Sequence, residues 1–95
     1  MQEQEAGKMQ EESLERERKT AERGRQAEAV KPVLLAYLGR IRARCIADIE
    51  DGRDVEAACH MLAMTKRLAG EVDSDITSGR IAEDAIRKEE ARRDV

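Results

Sequence analysis

Leu34, Leu38, Ile41, Cys45 and Ile49 recur at steps of four, three, four and four residues, a period that an α-helix turns into a single stripe. Val30 and Tyr37 lie on one flank of it, Leu35 and Ile46 on the other. At about 100° per residue the apolar surface covers close to half the helix circumference. One neighbouring helix cannot cover so wide a face. Arg40 and Arg44 fall together on the opposite side, and Arg42 sits at the edge of the stripe, where its stem can lie along it. Pro32 suits the first turn of a helix, where its missing N–H is not needed, so the spacing predicts that this helix begins there.

The stripe ends at Glu50-Asp51-Gly52-Arg53-Asp54, which reads as a stop and a restart. Gly52 can take the left-handed conformation that closes a helix, and Asp54 can cap the next one through its carboxylate. A tight αα-hairpin follows. The second helix starts at Val55 and carries Ala58, Met61, Leu62, Thr65, Leu68, Ala69 and Val72 on one face, with Glu56, His60 and Arg67 on the other. It ends at Gly70 or near Val72, because Asp73-Ser74-Asp75 favours a turn or a new N-cap. Beyond Ser78-Gly79, Ile81, Ala82, Ala85 and Ile86 share one side of a last short helix, ahead of a charged tail from Arg87 to Val95.

The N-terminal third is different. Met9 and Leu14 are its only large apolar residues before Val30. Glu12 with Arg16, Glu15 with Lys19 and Glu28 with Lys31 stand at helical spacing, each pair worth roughly 0.2–0.5 kcal/mol on an exposed helix. Gly7 and Gly24 each cost about 1 kcal/mol relative to Ala in a helix interior. The expectation is an exposed helix, too polar to bury a face or sustain a heptad seam, that orders fully only beside a partner.

Ninety-five residues allow one small core, and six Gly with one Pro are too few for the turns of a β-sandwich or barrel. The expected class is therefore all-α. A charged helical arm (1–31) precedes an αα-hairpin of two amphipathic helices (32–72), and a short C-terminal helix with its tail (73–95) follows. The hairpin has too few facing surfaces for its apolar residues, so oligomerisation is expected to complete the fold.

No constellation supports catalysis. The 18 basic and 21 acidic residues are closely intermixed, which indicates no polyelectrolyte partner. There is no glycine-rich phosphate loop, no HExxH, no GxSxG and no calcium-loop spacing. Cys45, Cys59 and His60 fall short of the four ligands of a structural zinc, and two cysteines make no secreted disulfide framework. The carboxylates around the hairpin turn, Asp48, Glu50, Asp51, Asp54 and Glu56, read as solubilising caps. Neither a secretory start nor a run of roughly 20 apolar residues is present, so a reducing, cytoplasmic compartment is expected. No enzyme activity, cofactor, metal, small-molecule substrate or membrane is expected.

The surface that remains is apolar, and Leu34, Leu38, Ile41, Ile49, Met61, Leu62, Leu68 and Val72 are the expected protein interface. A second reading has Arg40, Arg42 and Arg44 touching phosphates in a ring of several copies. The plan of charged arm, αα-hairpin and charged tail resembles small phage-encoded proteins such as small terminase subunits or scaffolding proteins, in plan and not in motif, so no residue role follows from it. The leading expectation is a non-enzymatic assembly or adaptor protein, acting as a homo-oligomer or on a protein partner. The alternatives are a nucleic-acid-associated subunit of a packaging or scaffolding complex and a small inhibitor docking on a larger enzyme.

Overall fold

The computed structural model describes the backbone of residues 2–93 and the side chains of residues 10–93. The side chain of Met9 and the end of the tail, Asp94 and Val95, lie outside the described residues. Two α-helices account for nearly all of the rest: α1 (Gln2–Glu50) and α2 (Val55–Arg93), joined as a helical hairpin. No strand occurs among the described residues.

The turn follows directly from Gly52. Its φ of +70° costs a glycine little and would strain any residue with a β-carbon. In that conformation the Gly52 N–H donates to the Ile49 carbonyl at 3.1 Å, and the Arg53 N–H donates to the Asp48 carbonyl at 2.8 Å. These are the paired bonds of a Schellman motif, and they satisfy carbonyls that the end of α1 would otherwise leave open. Asp54 is left-handed too, with φ +43°. It closes the start of α2 through its backbone, accepting the Ala58 N–H at 2.9 Å, and not through the carboxylate bond that the sequence suggested.

Three expected breaks are absent. Pro32 lies inside α1, so the arm and the first amphipathic helix are one element. An interior proline costs about 3 kcal/mol, yet Pro32 is on the exposed side of α1, where water can take up the rung it removes. Buried or half-buried positions on both sides, Ala27 before it and Leu34 and Leu38 after it, hold α1 in helical form. Likewise α2 runs through Gly70, Asp73-Ser74-Asp75 and Ser78-Gly79, so the separate short C-terminal helix does not exist. Asp73 accepts an ion pair from Lys31 at 2.7 Å, and Gly79 is buried in a helix contact.

The chain divides into two compact units. In the unit Glu28–Ser74, Leu38 and Cys45 on α1 and Ala58 and Thr65 on α2 are buried. Leu34, Ile49, Leu62, Ala69 and Val72 are half-buried beside them. The steps Lys31, Leu38, Cys45 and Ala58, Thr65, Val72 are seven residues each, the period of a coiled-coil seam. Thr65 meets its hydrogen-bonding need locally, its hydroxyl donating to the Leu62 carbonyl at 2.8 Å. The seam itself is narrow, made mostly of small or half-buried side chains.

The other unit, 1–27 with 75–95, overturns the expectation that the charged arm is too polar to bury a face. Ala21, Gly24 and Ala27 are buried, as are Ile76, Gly79 and Ala82. The helices meet at the two glycines so closely that a β-carbon on Gly24 would lie 2.7 Å from the Gly79 Cα and 2.9 Å from the Asp75 carbonyl oxygen. Here side-chain volume is replaced by proximity: small residues let two backbones touch, and dispersion between them takes the place of leucine packing. Arg25 spans this unit, pairing with Glu22 at 3.1 Å along α1 and with Glu83 at 3.4 Å on α2.

Candidate functional site: an apolar flank of the hairpin

The large apolar residues that the narrow seam leaves out are concentrated in one unit, on the two flanks of its hairpin. Among the described residues the exposed ones are Val30, Val33, Leu35, Tyr37, Ile41, Ile46, Val55, Met61, Met64 and Leu68, all within Glu28–Ser74, and Ile81 in the other unit. They are not scattered around the hairpin. Tyr37 precedes buried Leu38 by one residue, and Met64 precedes buried Thr65 by one, so each is rotated about 100° from the seam in the same sense. In antiparallel helices the same sense means the same side of the hairpin. Val30, Val33 and Ile41 accompany Tyr37 on that side, and Met61 and Leu68 accompany Met64. This is the first flank.

The second flank holds residues that follow seam positions: Ile46 after Cys45, Cys59 after Ala58, together with Leu35 and Val55. Arg42 and Lys66 interrupt it with charge. On the first flank α1 carries no charge at Val30, Val33, Tyr37 or Ile41, and α2 carries none at Ala57, Met61, Met64 or Leu68. Charge enters the same stripe toward its ends, where Arg44 and Asp48 follow Ile41 by three and seven residues on α1 and Glu71, paired with Arg67 at 3.8 Å, follows Leu68 by three on α2. Tyr37 is 59% exposed, and the Arg40 guanidinium lies 5.6 Å from its ring centre, an arrangement of cation–π type that fixes the ring from one side.

The structure divides the expected interface residues between two roles. Leu38 faces the partner helix of its own chain and is only 6% exposed. Leu34, Ile49, Leu62 and Val72 edge the same seam, half-buried. Ile41, Met61 and Leu68 are exposed on the first flank. Val33 and Met64, absent from the expected interface, belong to that flank; the signal that finds them is their offset of one residue or more from a seam position. Arg40, Arg42 and Arg44 are all exposed, and none forms an ion pair among the described residues. They do not gather on one surface. Arg40 and Arg44 share the outer side of α1, and Arg42 is turned about 200° from each.

Other chemistry finds little to work with. Cys45 is a buried free thiol and Cys59 an exposed one. No group of three His, Cys, Asp or Glu side chains among the described residues converges on a point that could hold a metal. Surface depressions are open and edged by charge, for example Glu12, Glu15, Arg16 and Lys19 on α1. The Asp84 carboxyl is held below its ordinary value of 3.8, through a hydrogen bond from Lys88 and the charge of that lysine. No described helix is long and apolar enough to cross a membrane. No protein-family profile, curated protein or solved structure matches the chain.

Proposed function

We propose that this chain is a non-enzymatic assembly or adaptor protein that acts by self-association or by docking to a protein partner, through the hairpin unit Glu28–Ser74. One observation carries this reading: the exposed large apolar side chains fall almost entirely in that unit, on a hairpin whose own seam is already filled. Exposed apolar surface concentrated in one part of a chain is the usual mark of an interaction site, because covering it removes an unfavourable contact with water. Light scattering on the full chain at micromolar concentration tests it. A dimer or larger species is expected, and a stable folded monomer at every concentration, with no protein partner recovered from the native host, would overturn it.

A nucleic-acid-associated role is the second reading, favoured by the exposed Arg40 and Arg44 on one side of α1. Anisotropy titrations against random-sequence DNA and RNA at low and physiological salt decide between the two. Binding no tighter than the nonspecific range of roughly 10⁻⁴–10⁻⁶ M is expected. Tight binding that weakens steeply with salt, and whose salt slope falls when Arg40 and Arg44 are neutralised, would place this reading first.

A further inference from the structure

We propose that the first flank is a two-fold homodimer interface, on which a second copy lays its own first flank to complete a four-helix bundle; this rests on the self-association reading above. Three observations choose this face and this occupant. The first is area. Val30, Tyr37 and Ile41 on α1 with Met61, Met64 and Leu68 on α2 are between 37% and 59% exposed. Six large, mostly apolar side chains left about half exposed on one face suit a homodimer interface, which buries roughly 800 Å² per subunit with an apolar share of about 65%.

The second is charge. A two-fold axis sets every group near it against its own copy, so a charge at the centre of such a face would meet a like charge. The first flank has none at its centre, whereas the second flank would bring Arg42 and Lys66 into the contact. Toward the ends of the flank both signs are present, Arg44 and Asp48 on α1 and Arg67 and Glu71 on α2, so no single sign of charge accumulates there. The third is the seam. Because Leu38, Cys45, Ala58 and Thr65 are already buried within one chain, docking a second copy needs no rearrangement of the hairpin. The flanks meet as preformed surfaces.

Tyr37 is the only aromatic residue of the chain, and it reports on the interface without interference. The test combines light scattering over a concentration series with acrylamide quenching of Tyr37 emission, on the wild-type chain, Met64→Glu, Leu68→Gln and Ile46→Glu. The wild type should be a dimer with a shielded Tyr37. Met64→Glu should raise the dimer dissociation constant about 100-fold and open Tyr37 to quencher at unchanged helical circular dichroism, because a charge would be buried without a partner. Leu68→Gln, which adds no charge, should weaken the dimer about tenfold. Ile46→Glu, on the second flank, should leave the dimer within about threefold of wild type. A dimer that ignores Met64→Glu and Leu68→Gln, one that Ile46→Glu dissociates equally, or a wild-type trimer or larger ring overturns this interface while leaving self-association in place. A folded wild-type monomer overturns this proposal and self-association together.

Discussion

At the scale of the residue, the clearest lever is a single hydrogen atom on Gly24. Adding a methyl there gains helix propensity of about 1 kcal/mol, but the new carbon would overlap the Gly79 Cα and the Asp75 carbonyl oxygen, and overpacking of this kind costs about 1–3 kcal/mol. Gly24→Ala is therefore expected to lose up to about 2 kcal/mol in a urea melt. Gly39→Ala and Gly70→Ala, where an added β-carbon meets nothing within 4 Å, should each gain about 0.5–1 kcal/mol. If all three glycines respond alike, the close helix contact is wrong. Sequence reasoning saw Gly24 only as a weak point because hydropathy measures what a side chain contributes and is blind to what its absence permits. A charge effect of the same local kind attends Asp84. Its carboxyl is held low by Lys88, so this stabilisation is present above the ordinary carboxyl range and is lost as pH falls through the depressed value. An NMR titration of Lys88→Gln should return the Asp84 midpoint upward toward 3.8, with no effect above about pH 6.

At the scale of the element, Gly52 decides where two long helices part. Gly52→Ala must hold an alanine at φ +70°, a strain of about 1–2 kcal/mol, although nothing lies within 4 Å of the added carbon. A loss of that size with no change in helical content is expected by circular dichroism and thermal melting; an unchanged melting temperature would show that the turn tolerates another conformation. This turn was legible from the residues alone, as was the start of α2 at Val55, because a left-handed glycine between two amphipathic runs admits few alternatives. The false breaks share a cause. Pro32, Gly70 and Ser78-Gly79 each carry a local cost, and each was read without the seam that outweighs it. Gly79 shows this most plainly: the residue that looks like a terminator is the one the helix contact requires.

At the scale of the whole molecule, the pairing of 1–27 with 75–95 makes the two chain ends depend on each other. Deleting residues 1–27 removes Ala21, Gly24 and Ala27, the surface that covers Ile76, Gly79 and Ala82. The lost helical signal should then exceed the residues deleted, with new tryptic cleavage at Arg80 and Arg87. Retention of full helicity in 75–93 would show that this segment needs no partner. The wide stripe from Leu34 to Ile49 was legible in the sequence, and so was its excess over what one helix can cover. Which of its residues face the seam and which face out was not, since that assignment depends on the rotation of α1 against α2, and small residues at Ala58 and Thr65 set it. The hairpin also implies an order of assembly. Every contact between the helices closes a loop through Gly52, and the ring grows from the Arg53–Asp48 bond, through Lys31–Asp73, to Arg25–Glu83, whose partners stand 58 positions apart. Each doubling of such a loop costs about 0.6 kcal/mol in closure entropy, so contacts near the turn are expected to form first and Arg25–Glu83 after them. Disruption at Gly52 should accordingly slow folding, whereas disruption at Gly24 should leave the folding rate alone and hasten unfolding.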